Sequence, residues 1–326
     1  MELLQQTRIM NKMIESLFNM DLNTRIKALR PSLSANSVQT YASLLRSLWK
    51  QLNIEECISR TSIGKHHQHI IDYIESTCSE QPKKAKQFYS AMLVFNEPDL
   101  HEPLECFQTM KNLIHAHNQN DMITEQKQEL TEAQKKAYLS WDDIIAVRER
   151  LKAEVEHLWN SSLLFDIKLV QNYVIACVYT MIPPRRLLDY TIMSKYPPVG
   201  LRDNGLLRKN GKLYFVFSHY KTSACYGQQI IEVPFELEQV LTKWIEINAS
   251  PYLFFYKSLS TPFTVKQLQR TLASIFNKPG FGVNILRHAY VSDQVLPDMP
   301  FIDELKTVAS QMGHSTQQQV LYKKHI

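Results

Sequence analysis

The sequence predicts a mainly α-helical chain with a small antiparallel β-sheet, an α+β architecture in two domains. Three observations carry this. The first third of the chain has apolar residues at helical spacing and almost no glycine or paired strand pattern. One hairpin signal, Lys209-Asn210-Gly211-Lys212, stands between two short β-prone runs. At 326 residues, the chain is long enough for one or two domains.

In the N-terminal part, Val38, Tyr41, Leu44, Leu45, Leu48 and Leu52 follow a helix period, with Arg46 and Lys50 on other faces. Pro31 and the cluster Ser32–Ser37 precede that helix and supply N-cap chemistry. Further helices are expected over Gly64–Thr77, Lys83–Phe95 and Glu105–His117. Residues 118–139 are polar and charge-mixed and read as a linker, partly helical. Ser140, with Asp143 three positions on, is a capping signal that opens a helix to about Val155. The domain boundary is expected near residue 135, giving a helical domain over 1–135 with its linker and a second domain over 136–326.

In the second part, Leu164–Ile182 is a long apolar helix stopped by Pro183-Pro184. Leu206–Arg208, Leu213–Ser218 and Gln228–Val233 read as strands, with Tyr220–Gly227 as the turn between the last two. Helices resume at Glu236–Ile247, Val265–Phe276, Ile285–Gln294, Ile302–Met312 and Gln317–Tyr322.

Composition narrows the function. Apolar residues are 44 % and charged residues 21 %, as in a soluble globular protein. Only 8 glycines occur, and neither G-x-G-x-x-G nor G-x-x-x-x-G-K-[ST] is found, so no nucleotide cofactor is expected. The formal net charge of +5 is compatible with nucleic acid and equally with a slightly basic soluble protein. The five cysteines, Cys57, Cys78, Cys106, Cys177 and Cys225, are odd in number and widely spaced. They point away from a disulfide framework or zinc site and toward a reducing compartment. His66, His67 and His69 lack a carboxylate or cysteine partner at metal-ligand spacing and read as solvent-facing, so no metal is expected. The N-terminus is amphipathic and carries acids, unlike a signal peptide, and no apolar run is long enough to span a membrane.

Four segments carry reactive groups: PPRRLLDY with Arg186, HYKTSACYG with Lys221, NILRHAY with Arg287, and GHSTQQQVLY with His314 eight positions before Tyr322. A tyrosine phenol can attack a DNA phosphodiester to give a phosphotyrosine ester similar in energy to the bond broken, so the step reverses without an external energy source. The charge concentrated on the non-bridging oxygens needs fixed cationic donors, and arginine's planar fork supplies two hydrogen bonds without losing its proton. The leaving 5′ oxygen needs a proton, and a lysine on a hairpin turn can deliver one. Asp189 stands three positions after Arg186 and can brace it. Lys209, Lys212 and Lys257 compete with Lys221 for the acid's role. Arg185 and Arg186 are either a solvated basic pair or one of them pairs with Asp189, the spacing favouring Arg186 and leaving Arg185 as a DNA contact; Arg46 and Lys50 either grip phosphates or line a solvated face.

These motifs resemble those of the tyrosine recombinases, the integrase superfamily that shares its catalytic core with type IB topoisomerases. Arg186 with Asp189 matches the first arginine motif, Lys221 in YKTS the hairpin lysine, and Gly313-His314 with Tyr322 the nucleophile segment. Asn284-Ile285-Leu286-Arg287 matches H-x-x-R except at its first position. The resemblance spans residues 140–326, and the helical N-terminal part is similar to the family's core-binding domain in general pattern. The PPRRLLDY wording resembles that of viral and mobile-element integrases.

The resemblance implies a site-specific recombinase that clamps duplex DNA in a C-shape and cuts and rejoins it through a 3′-phosphotyrosine. It implies a catalytic set of Arg186, Lys221, Asn284, Arg287, His314 and Tyr322, a homotetramer on two sites, and an intracellular, DNA-associated setting in cytoplasm or nucleus of a host cell. Asparagine donates a hydrogen bond but cannot shuttle a proton, so Asn284 keeps open a DNA-binding protein of weakened activity. A topoisomerase-like relaxing enzyme with the same chemistry is the other alternative.

Overall fold

A computed structural model describes residues 21–96, 105–126, 129–159, 166–200, 203–295, 302–313, 315, 316, 318 and 322. The chain divides into two compact units, Met1–Thr124 and Glu125–Ile326.

The first unit is helical: α1 (Leu22–Leu29), α2 (Ala35–Gln51), α3 (Arg60–Thr77), α4 (Pro82–Met92) with a 3₁₀ turn Leu93–Phe95, and α5 (Glu105–Gln126). Ser34 caps α2 by accepting from the Ser37 amide, which satisfies one of the helix's orphan donors. α2 buries Val38, Ala42, Leu45, Leu48 and Trp49, and leaves Arg46 and Lys50 exposed. α3 begins earlier than expected, because Ser59 and Ser62 form a capping box. These faces meet Ile26, Ile63, Ile70, Ile74, Phe88, Tyr89, Phe107 and Met110 in one core. α5 runs nine residues beyond the expected His117, through much of the stretch read as linker.

The second unit starts with α6 (Glu132–Ala137), α7 (Trp141–Trp159) and α8 (Ile167–Thr180). Ser140 Oγ accepts from the Asp143 amide at 3.2 Å, the cap that the sequence announces. α8 is buried from Tyr173 to Thr180, so it is the central rod of this unit rather than a surface helix. It packs against α7 and against α11 (Phe235–Ile247) and α12 (Val265–Ile275). The chain then passes through Pro183-Pro184, where helix cannot continue, to the one-turn α9 (Leu188–Thr191).

The three-stranded antiparallel sheet has order β1 (Gly205–Lys209), β2 (Lys212–Phe217), β3 (Gln229–Glu232). Asn210 at φ 51° and Gly211 at φ 79° form the two-residue turn between β1 and β2, in the left-handed region that Asn-Gly tolerates. Register runs from Lys209 opposite Lys212 to Gly205 opposite Val216. Leu213, Phe215 and Phe217 alternate into the core, and Phe215 and Phe217 both meet the Tyr190 ring edge-on. The link from β2 to β3 contains a single helical turn, α10 (Ser223–Tyr226), within what the sequence shows only as a turn. Last come α13 (Val283–Tyr290), a π-turn Val291–Val295, and α14 (Ile302–Gln311). The expected final helix, Gln317–Tyr322, lies mostly outside the described residues. Among the described residues, no helix is long and apolar enough to cross a membrane.

Candidate active site

The reactive residues of the second unit come from four pieces of chain. Arg185 and Arg186 follow the double proline. Lys221 stands in the β2–β3 link, Arg287 on α13, and Gly313 and Tyr322 after α14.

Arg287 is fully buried. Its Nη1 donates to the Pro184 and Met312 carbonyls at 3.4 and 3.3 Å. Its Nε and Nη2 have no hydrogen-bond partner among the described residues. Desolvation pulls its pKa down to about 10, against the opposing pull of Tyr322. The guanidinium lies 4.5 Å from the centre of the Tyr322 ring, so the chain's own tyrosine reaches the arginine. Arg186 is half-buried, close enough to be felt electrostatically by Arg287, and donates to the Gly313 carbonyl at 2.9 Å.

Two sequence readings are corrected. Arg185 was expected at a DNA surface, but it is 0 % exposed and lies inside the protein. Asp189 was expected to brace Arg186, yet it takes Arg185 Nε at 2.8 Å. The reason is local: Arg185 precedes the single turn α9, and there the i,i+4 separation closes the pair. Burial pushes the Asp189 carboxyl up while Arg185, then Arg186 and Arg287, pull it back. Asp189 Oδ1, Arg185 Nη2 and the Tyr179 and Tyr190 hydroxyls are also buried without partners among the described residues.

The β2–β3 link is tied to the same place. Thr222 Oγ1 donates to the Gly313 carbonyl at 2.9 Å, so that oxygen accepts from Thr222 and Arg186 together. Lys221, next to Thr222, is exposed. Asn284 is exposed on the first turn of α13, one turn before Arg287. His314 lies outside the described residues. Arg46 and Lys50 are on α2 of the first unit, where Arg46 donates to Asn23 at 3.2 Å.

Sequence reasoning treats His288 as a neighbour in the Arg287 motif and assigns it no catalytic role; it is bonded through Nδ1 to the Tyr322 carbonyl at 2.8 Å and packs its ring 5.1 Å from the tyrosine's. Sequence reasoning passes over Thr222. No spacing rule marks either; both act on backbone oxygens that only the fold brings within reach. His67 Nδ1 bonds the Gly64 carbonyl and His66 faces Glu56 at 3.5 Å. No group of three or more metal-ligating side chains is assembled among the described residues.

Gly313 adopts φ +69°, and a Cβ there would stand 3.2 Å from Arg185 Nη2. Gly313→Ala is therefore expected to destabilise the fold by about 1–2 kcal/mol, the cost of a left-handed L-residue. Chemical denaturation checks this, and an unchanged midpoint would refute it.

No protein-family model matches the chain, and no curated protein matches it in sequence. Solved structures do. XerH site-specific recombinase bound to palindromic difH substrate, in a post-cleavage complex, aligns at TM-score 0.52 and 13 % identity, over 92 % of this chain and 79 % of that one. Its pre-cleavage complex with difH aligns at TM-score 0.51 and 15 % identity, over 92 % and 80 %. The chain has the recombinase fold. XerA recombinase aligns more loosely, at TM-score 0.41 and 14 % identity, over 90 % of this chain and 88 % of that one.

Proposed function

We propose that this protein is a tyrosine recombinase that cuts and rejoins duplex DNA. The observation that carries the reading is Tyr322 lying over the fully buried guanidinium of Arg287, a nucleophile beside a fixed cation suited to a phosphate. The fold shared with XerH agrees with it.

In this reading the Tyr322 phenol attacks the scissile phosphorus and gives its proton to His314. The bond to the 5′ oxygen breaks, and that oxygen takes a proton from Lys221. Arg186 and Arg287 hold the non-bridging oxygens where charge accumulates, and Asn284 adds a neutral donor. A 5′ hydroxyl from a second duplex then attacks the phosphotyrosine and gives its proton to Lys221; the P–O bond to Tyr322 breaks, the phenolate takes a proton back from His314, and strand exchange is completed within a tetramer on two sites. The test is a nicked suicide substrate, from which the short fragment bearing the freed 5′ hydroxyl diffuses away. A covalent protein–DNA adduct is the expected result; none under any condition would leave a binding protein only. Joints between two sites, as opposed to relaxed plasmid without exchange, separate recombination from a topoisomerase.

Arg46 and Lys50, exposed on α2, are assigned phosphate contacts. Replacing both by alanine is expected to weaken DNA binding evenly across sequences and to reduce the salt slope by roughly one per lost contact. Titrations at several salt concentrations measure this; an unchanged slope would return both residues to a solvated face.

A further inference from the structure

Arg185 has no part in the chemistry just described, yet it is among the largest fully buried side chains of the protein. It joins three pieces of chain that are distant in sequence. Nε pairs with Asp189 of α9 at 2.8 Å. Nη1 donates both to Gln229 Oε1 of β3, at 2.8 Å, and to the Gln311 carbonyl at the end of α14, at 2.6 Å. The guanidinium lies 4.0 Å from the centre of the Phe217 ring and 5.0 Å from that of Tyr220. Phe217 ends β2, and Tyr220 stands in the β2–β3 link one residue before Lys221. Gln229, at its far end, also donates to the Ser310 carbonyl at 3.0 Å.

We infer that Arg185 is a positioning residue that holds the Lys221 turn in register with Arg186 and the tyrosine-bearing segment, so that the leaving-group acid and the nucleophile meet one phosphate. The inference rests on the proposed recombinase chemistry. Its physical basis is the shape of the guanidinium. A planar fork can serve a carboxylate, an amide oxygen and a carbonyl in fixed directions while stacking on aromatic rings; a lysine ammonium cannot reproduce that set. Burying a charge is costly unless it is paired and hydrogen-bonded, and here the pairing is spread across the three pieces the reaction needs aligned.

The experiment compares the parent, Arg185→Lys, Gln229→Ala and Lys221→Ala. Each is given saturating nicked duplex carrying either an ordinary 5′ oxygen or a 5′ sulfur at the scissile position. With oxygen, the P–O bond breaks and the alkoxide must be protonated; with sulfur, the P–S bond breaks and the thiolate leaves with its electron pair, needing no proton.

Arg185→Lys is expected to slow adduct formation with oxygen by up to about a hundredfold, as for a group displaced by an ångström, and to recover most of that rate with sulfur. DNA affinity is expected to stay unchanged. Gln229→Ala keeps Arg185 and loosens only its tie to β3. It is expected to show the same pattern more weakly, and it decides the matter if Arg185→Lys does not fold. Equal slowing on both substrates, or recovery in Lys221→Ala without recovery in the other two, would overturn the inference. So would a Lys221→Ala variant that sulfur does not rescue. A parent that forms no adduct on either substrate fails the recombinase reading itself, and the role of Arg185 falls with it.

Discussion

Tyr322→Phe is expected to abolish the covalent protein–DNA adduct while leaving fold and DNA affinity intact. The substitution removes one oxygen. The ring stays over Arg287, and the carbonyl that His288 engages belongs to the backbone and is unaffected. The satellite cluster of Val291 and Met312, against which Tyr322 packs, keeps its apolar surface. What disappears is the hydroxyl that pairs with Arg287 and would bond to phosphorus, and loss of a nucleophile costs on the order of a millionfold in rate. Denaturing electrophoresis of labelled suicide substrate reads the result directly. An adduct that persists in the phenylalanine variant would place the nucleophile elsewhere among the chain's 15 tyrosines.

Arg287→Met is expected to lower the rate of adduct formation by roughly a hundredfold to a thousandfold for each donor lost to the phosphate. The same change is expected to leave thermal stability nearly unchanged or slightly raised. Two effects oppose each other. Methionine forfeits the bonds to the Pro184 and Met312 carbonyls, worth about 1 kcal/mol each. It also removes a buried charge, and apolar replacement of buried ionic groups returns about 1–4 kcal/mol. Calorimetry beside the adduct assay separates the outcomes: a variant that melts several degrees lower would make Arg287 a structural post rather than a phosphate ligand. Burial lowers the pKa of Arg287 to about 10, still far above neutral, so its charge is complete at neutral pH.

Much of this was legible from residue order. The α2 stripe, the Ser140 cap, the Asn-Gly turn and the double-proline stop each have a local cause that a sequence displays. The segments carrying Arg186, Arg287 and Tyr322 stand out as motifs in the sequence, while the distance between Arg287 and Tyr322 is a matter of the fold. The length of α5 was not legible, because the apolar residues of its distal half, Ala116, Met122 and Ile123, form no repeating stripe, and Met122 and Ile123 are exposed. Nor was the division of labour between Arg185 and Arg186. Adjacent arginines followed by an acid three or four positions on are ambiguous until the backbone path is known, and that path is set by two prolines and a single helical turn. His288 and Thr222 bind carbonyls of residues far along the chain, 34 and 91 positions away, and such pairings leave no trace in local pattern.

The carbonyl of Gly313, with two lone pairs, takes Arg186 on one side and Thr222 on the other. Neither side chain can swing away without vacating an acceptor that the other still uses. Grafting a β2–β3 loop from a protein of the same fold into this scaffold would therefore disturb Arg186 as well as Lys221, unless the incoming loop brings a hydroxyl to the same oxygen. Chimeras that retain a serine or threonine at position 222 are the ones that should work.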